Sequence, residues 1–189
     1  MDTQRLAGVL LIASFVTLML STVVNAPGLY QTQDIEQRLQ IIETHRTRWL
    51  INQALVVLYA PLTVIAFSLL AYTLRTRGQP WIPVLGAVAI VAGTVAGMYF
   101  VYLQTTDPRG GYSGAYPTPE NLAYWLWLAG MLLFGVAFLQ AGLPGWLGYL
   151  TAGAALLYGI AFLITGGGFL TPFLLGLLSL VIGIFLLRQ

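Results

Sequence analysis

Residues 81–103, WIPVLGAVAIVAGTVAGMYFVYL, form an apolar run without one charged side chain. An α-helix needs about 20 predominantly apolar residues to cross the hydrocarbon core of a bilayer, and this run is long enough to do so. Backbone polar groups inside lipid must bond within their own segment, which favours a helix. We therefore predict a transmembrane helix over residues 81–103. If lipid surrounds most of the chain, its other segments should be helices for the same reason.

The composition extends this conclusion to the whole chain. Of the 189 residues, 58% are hydrophobic and 7% are charged, against about 25% charged in an ordinary soluble domain. So few charges could not cover the surface of a soluble fold of this size. The sequence therefore predicts an integral membrane protein whose main partner is the lipid bilayer. The formal net charge of +2 is too small and too dispersed to indicate nucleic-acid binding.

Similar apolar runs flank this segment on both sides. The first exceeds the about 7–15 apolar residues of a signal peptide, so we expect it to be a retained span. The turn AGLPG at 141–145 predicts that the fourth and fifth helices are antiparallel neighbours. The expected fold is one all-α domain over residues 1–189, a polytopic transmembrane bundle of six helices. Its spans are predicted at about 6–25, 50–74, 81–103, 120–140, 146–165 and 169–187.

The segment DIEQRLQIIETHRTRW, residues 34–49, holds six of the fourteen charged side chains and the one histidine. Asp34 and Gln37 have the spacing of a capping box, and apolar residues follow at helical spacing. We predict a short amphipathic helix over about 34–48 in the outer interface, leading directly into the second span. It could be a lid, a docking surface or an interfacial anchor. A ligand or metal site using Asp107 or Glu120, and catalysis, are the sharper alternatives.

Absent residue types exclude several chemistries. The chain has no Lys for a Schiff base and no Cys for disulfides, thiolate metal ligands or thiol nucleophiles. No ionisable side chain lies at membrane depth, whereas ion-coupled transporters, proton pumps and voltage sensors need such groups. A bis-histidine haem is excluded because His45 has no second histidine. We therefore predict no enzyme activity, no catalytic residues, no metal site and no cofactor.

Small residues repeat at four-residue spacing within the spans and form smooth stripes. Such stripes predict close helix packing within the bundle, or a homo-oligomer or membrane-complex partner. The expected helix-packing residues are Ala89, Gly93, Gly97, Gly148, Ala152 and Gly159.

Aromatic side chains gather towards the side opposite the termini. An interfacial belt explains most of them, but the glycine-rich connection 105–116 could also shape a cleft for a lipid, quinone, carotenoid or glycan. The candidate ligand-binding residues are Tyr99, Tyr102, Tyr112, Tyr116, Tyr124, Trp125, His45 and Arg46.

Two functions remain open at this level. The first is a non-enzymatic protein, either a structural or accessory subunit or a binder of a hydrophobic small molecule at the outer aromatic cleft. The second is an uncoupled small-solute carrier or channel, with a kink at Pro61 and with Asn52 and Gln53 along a polar path. Polar residues in spans also serve as helix-to-helix hydrogen-bond partners.

The layout resembles bacterial six-span membrane proteins grouped as a domain of unknown function. An Arg-started first span, a polar outer segment and the sequence Arg46-Thr47-Arg48-Trp49-Leu50 carry this resemblance. It implies a multi-pass protein of the bacterial inner (cytoplasmic) membrane and brings no catalytic residue. Residues 166–189 lack the acidic residue expected in that family's last span. Arg75 and Arg77 in a very short loop favour cytoplasmic termini, although each side carries four arginines.

Overall fold

A computed structural model describes residues 2–29, 31–32, 34–165 and 171–189. Every regular element in these residues is a helix, which confirms the all-α fold class. The helices are α1 (Thr3–Val24), α2 (Ile35–Thr44), α3 (Arg46–Leu74), α4 (Trp81–Thr106), α5 (Pro108–Ser113), α6 (Pro117–Gln140), α7 (Gly145–Thr165) and α8 (Thr171–Leu187).

Five of these helices are long and apolar enough to cross a membrane, so the chain is an integral membrane protein. They are α1, α3, α4, α6 and α7. The predicted count of six is not exact, because the described part of the last helix, α8, has only 17 residues. Residues 169 and 170 of the predicted sixth span lie outside the described residues.

The predicted outer helix and second span have different boundaries in the structure. The outer helix ends at Thr44 rather than about residue 48, and α3 begins at Arg46 rather than about residue 50. His45 separates them with φ −115° and ψ 32°, outside the helical range. The outer segment is therefore a separate helix, and Trp49 belongs to the first turn of α3.

The structure adds one helix and extends another around the glycine-rich connection. The short helix α5 (Pro108–Ser113) occupies part of it, with Asp107 as its N-cap. The helix α6 begins at Pro117, after its N-cap Tyr116, rather than at about residue 120. In both helices a proline stands in the first turn, where its missing N–H breaks no hydrogen bond. The connection is thus more regular than its glycine content indicated.

The five spanning helices and α8 pack in the succession α8, α1, α3, α4, α6 and α7. The ends of this succession, α7 and α8, also meet, with an edge-on contact of 6.0 Å between the ring centroids of Trp146 and Phe185. Fully buried aromatic rings fill the centre, and those of Phe67 on α3 and Phe134 on α6 are 5.0 Å apart. The predicted antiparallel contact between the fourth and fifth spans, α6 and α7, is confirmed.

Among the described residues, three pairs of facing glycines allow the helix backbones to approach closely. A Cβ on Gly8 would lie 2.9 Å from the carbonyl oxygen of Gly183, closer than side chains tolerate. Glycine is required at such points because any larger side chain would separate the helices. The pairs are Gly8 with Gly183 (α1–α8), Gly86 with Gly130 (α4–α6) and Gly135 with Gly148 (α6–α7).

Five of the six predicted packing residues lie against a neighbouring helix. A Cβ on Gly93 would lie 2.8 Å from the Trp127 ring, and one on Gly135 would lie 2.7 Å from the Ala152 Cβ. Gly97 also faces Trp127, and Gly159 approaches Trp125. Ala89 is half-buried on α4. The small-residue stripes therefore serve packing within the bundle, and a partner that uses them stays a prediction.

The two ends of the bundle are distinct in charge. We call the end that carries α2 and α5 the outer face and the opposite end the inner face. Arg77, just after α3, donates to the side chain of Gln4 at the start of α1, so both belong to the inner face. The inner face carries four arginines and one aspartate, whereas the outer face carries four arginines and five acids.

Candidate functional site

The outer face carries a small folded cap with its own apolar cluster. Buried side chains from α2, α3, α5 and the 26–29 turn meet there, apart from the main core. The helix α2 supplies Ile42 because its apolar residues recur on one face, as the spacing predicted. The cluster consists of Ala26, Leu29, Ile42, Trp49 and Tyr112, with Ile35 and Ile41 packed against it. The predicted amphipathic helix therefore packs against the bundle at its outer face.

Hydrogen bonds tie this cap to the bundle. The indole Nε1 of Trp49 donates to the hydroxyl of Tyr112 at 3.1 Å, and both residues are buried. Arg38 donates from Nε to the carbonyl oxygen of Thr32 at 2.7 Å and from Nη1 to that of Tyr112 at 3.1 Å. Arg38 thus joins α2 to α5 across residues far apart in sequence.

The start of α2 is capped almost as its sequence indicated. Asp34 Oδ1 accepts the backbone N–H groups of Glu36 at 2.9 Å and Gln37 at 3.4 Å. The reciprocal bond of a capping box is absent from the described residues. Instead, the Thr32 hydroxyl donates to Gln37 Oε1 and accepts the N–H of Asp34. The N-terminal capping of α2 therefore involves Thr32 as well as Asp34 and Gln37, and only the last two were predicted from their spacing.

Asp107 organises the start of α5 and its connection to α6. Its carboxylate accepts the N–H of Gly110 at 3.0 Å and the hydroxyl of Tyr116 at 2.7 Å. First the Gly110 N–H and then the Tyr116 hydroxyl hold the pKa of Asp107 below its usual value. The same bond to Asp107 raises the pKa of Tyr116. A capping carboxylate of this kind stays ionised at neutral pH, which suits a structural role.

Arg38→Leu is expected to loosen the cap without unfolding the spans. The change removes two hydrogen bonds from a charged donor, and we expect amide exchange in 35–44 and 108–113 to become about tenfold faster. Hydrogen exchange with mass spectrometry measures this. Arg48→Leu is the matched control, because Arg48 is exposed near the same face. Equal exchange in the two variants would show that Arg38 does not fasten the cap.

The residues that invited a catalytic interpretation are not assembled. His45 is half-buried between α2 and α3, where its backbone N–H donates to Ile41 O and its carbonyl accepts Trp49 N–H. Asp107 bonds Tyr116, and Glu120 accepts the hydroxyl of Tyr124 at 3.0 Å. Across residues 2–29, 31–32, 34–165 and 171–189, no three His, Asp or Glu side chains form a cluster that could hold a metal ion.

The predicted aromatic residues do not line one cleft. Tyr112 is buried in the cap, and Tyr116 bonds Asp107. Tyr124 and Trp125 pack against Phe162 of α7, with ring centroids 6.0 and 5.2 Å away. Tyr99 and Tyr102 stack on each other at 6.4 Å and are 55% and 60% exposed. Arg46 is also exposed, so a ligand-binding role for the full set stays a prediction.

One of these residues, Tyr102, does line a groove between α3 and α4. The groove has a volume of about 380 Å³ and is open at the side of α3, where its lining residues Ala54 and Val57 are exposed. It lies in the outer half of the bundle, since Gln53 stands about 10 Å along α3 from its first residue. The lining residues are Gln53, Ala54, Val57, Met98, Val101, Tyr102 and Thr105.

Gln53 gives this apolar groove a polar group. Its side chain is only 7% exposed, and no hydrogen bond to its amide occurs in the described part of the chain. The hydroxyl of Thr105 already donates to Val101 O at 2.8 Å. The amide of Gln53 is not fully enclosed, because the fully buried side-chain polar atom without a partner in the described residues is Gln4 Nε2. The groove therefore presents an unpaired donor and acceptor within an otherwise apolar wall.

The other residues of the predicted polar path lie apart from the groove. Asn52 Nδ2 donates to the backbone carbonyl of Ser21 at 2.7 Å, so this amide links α3 to α1. Pro61 lies on the exposed surface of α3, which continues through it as a helix. The hydroxyls of Ser14, Thr17 and Thr63 donate to carbonyls of their own helices. These positions do not join into one lining.

Sequence reasoning singled out Gln53 only as part of a polar path and missed its place in a groove. The available signal was the spacing of Trp49, Gln53 and Val57, which puts them one turn apart along one side of α3. Met98 and Val101 carried no signal, because lipid-facing and groove-lining apolar residues look alike in sequence.

Comparison of the chain with protein-family models, curated proteins and solved structures gave no match. The resemblance to bacterial six-span proteins stays a prediction. Function can therefore be inferred only from the residues and geometry of this chain.

Proposed function

We propose that the protein is a non-enzymatic membrane protein that binds a hydrophobic small molecule in the α3–α4 groove. The observation that carries the proposal is the amide of Gln53, which has no hydrogen-bond partner among the described residues and stands in an otherwise largely apolar groove. Small-molecule sites have this character, with mostly apolar walls and a few polar groups that orient the ligand. The volume of about 380 Å³ falls within the range of such sites.

The chemistry of the groove favours a ligand with a carbonyl or hydroxyl group near one end. Gln53 Nε2 can donate to a carbonyl, and Oε1 can accept from a hydroxyl. A quinone or an ester lipid fits this requirement better than a hydrocarbon carotenoid. The side opening faces lipid, so such a molecule enters from the bilayer. Its apolar tail remains in the hydrocarbon layer while its polar group reaches Gln53.

A carrier or channel has less support. Such a protein needs a continuous polar path, whereas Asn52 is engaged by Ser21 and Pro61 lies on the outside of α3. A purely structural or accessory subunit also has less support, because packing alone does not require an amide without a hydrogen-bond partner at position 53. We further propose that the inner face is cytoplasmic in a bacterial inner membrane, supported by Arg75 and Arg77 in their short loop.

Ligand binding is tested with decylubiquinone as a carbonyl-bearing probe and squalene as a hydrocarbon probe. The protein is kept in mild detergent, and bound probe is measured by native mass spectrometry and by quenching of tryptophan fluorescence. We expect the wild-type protein to bind decylubiquinone in preference to squalene. Gln53→Leu should weaken decylubiquinone binding by about two- to tenfold, the effect of one hydrogen bond.

A second pair of variants tests the location of the site. Ala54→Trp should abolish binding because its indole fills the groove. Ala92→Trp is the matched control, since Ala92 is also an exposed alanine but lies on α4 outside the groove. Equal affinity for the two probes, or equal binding by the two tryptophan variants, would overturn the proposal.

A further inference from the structure

The inner face holds a second, chemically different pocket. It has a volume of about 230 Å³ and lies between the start of α1 and the end of α3. Arg75, Thr76 and Arg77 contribute to its wall, together with Asp2 and Tyr72. Two arginines and a threonine therefore line one pocket just beyond the end of α3.

Both arginines of this pocket are held in place. The guanidinium carbon of Arg75 lies 4.1 Å from the ring centroid of Tyr72, a cation–π contact. Arg77 Nη2 donates to Gln4 Oε1 at 3.5 Å. Their donors are therefore organised before any ligand arrives, which reduces the entropy lost on binding.

These two arginines form no ion pair in the described part of the chain, since no carboxylate oxygen there lies within 4.0 Å of Arg75 or Arg77. Asp2 also lines the pocket, where its carboxylate accepts the backbone N–H of Gln4 at 3.3 Å, so the charged lining of two arginines and one aspartate is net positive by one charge. Gln4 is only 7% exposed, and its Nε2 is a buried donor without an acceptor among the described residues. Gln4 does not line the pocket, so an anion bound there would meet Arg75 and Arg77 rather than this amide.

We propose that this pocket binds the phosphate group of an anionic phospholipid. Guanidinium groups bind phosphate through paired hydrogen bonds, and basic pockets between helices at the cytoplasmic surface recognise anionic headgroups. The exposed ring of Tyr72 lies beside Arg75, at the level where acyl chains begin. A lipid bound here keeps its chains in the bilayer and its phosphate at the arginines. This inference is independent of the α3–α4 groove, which lies in the outer half of the bundle.

Native mass spectrometry with phosphatidylglycerol tests this assignment, with phosphatidylcholine as the zwitterionic comparison. We expect the wild-type protein to retain phosphatidylglycerol in preference. The double variant Arg75→Gln/Arg77→Gln should lower this retention by about ten- to thirtyfold, the combined effect of two basic side chains near an anionic lipid. Both arginines are exposed and lie beyond the last residue of α3, so the double variant should unfold like the wild type.

The control is Arg5→Gln/Arg188→Gln. It removes the same charge from the same face, yet neither residue lines the pocket. We expect this control to retain phosphatidylglycerol within about threefold of the wild type, because the effect of more distant exposed charges is screened. Equal losses in the two double variants would show that only the charge of the face attracts lipid, and would overturn the pocket. Displacement of the lipid by inorganic phosphate at equal concentration would overturn phospholipid as the ligand.

Discussion

Gly135→Ala is expected to lower the free energy of unfolding by about 1–3 kcal/mol, a typical cost of overpacking. The new Cβ would lie 2.6 Å from the backbone nitrogen of Ala152 and 2.9 Å from its Cα. Backbone atoms of a facing helix cannot rotate away as a side chain does. The helix α7 must therefore move as a body, which would also disturb its contact with Trp125 through Phe162.

Gly153→Ala is the matched control on α7. No atom lies within 4 Å of a Cβ at Gly153, so this change should leave stability equal or slightly higher. Unfolding in mild detergent, titrated with sodium dodecyl sulfate and followed by circular dichroism, gives both values. Equal stability of the two variants would mean that α6 and α7 are not in close backbone contact at Gly135.

Asn52→Leu is expected to destabilise the bundle by about 1–2 kcal/mol. Its Nδ2 donates to the carbonyl oxygen of Ser21, which lies in the last turn of α1, where carbonyls lack partners within their own helix. Without Asn52 this buried carbonyl stays unsatisfied. Hydrogen bonds between membrane helices contribute on average about 0.6 and at most about 1.7 kcal/mol. The same unfolding titration measures the change.

The neighbouring residue supplies the control for this experiment. Gln53→Leu removes a similar amide from the same turn of α3, but this amide has no hydrogen-bond partner in the described residues. We expect it to leave stability unchanged or slightly higher while it weakens binding of decylubiquinone. A loss of stability as large as that of Asn52→Leu would show that Gln53 serves packing, which would contradict its role in the groove.

Much of the fold was predictable because its cause is local. An apolar run long enough to cross a bilayer, such as 81–103, forms a helix whatever its neighbours are. The outer helix was predictable from the spacing of Ile35, Leu39 and Ile42. The residue at which the outer helix ends was not predictable, because a polar segment of this kind is compatible both with a continuing helix and with a helix end. In the structure the helix α2 ends before His45, which connects it to α3.

The candidate sites were much less predictable. Six aromatic residues shared one end of the sequence-based bundle, yet the structure separates them into a cap, a lipid-facing stack and a contact with α7. Hydropathy assigns residues to membrane depth but not to a side of the helix. Asn52 and Gln53 are adjacent in sequence, but neighbouring side chains on an α-helix point in directions about 100° apart. Asn52 therefore faces α1, and Gln53 faces the groove.

The sequence by itself determined that this chain lies in a membrane as an all-helical bundle, and it excluded chemistry that needs Lys, Cys or intramembrane charge. Only the tertiary structure decided which glycines face each other, which amide remains unpaired, and which arginines share a pocket. The physical reason is distance along the chain. Burial in lipid depends on consecutive residues, whereas Arg77 with Gln4, or Gln53 with Tyr102, meet only after the helices pack.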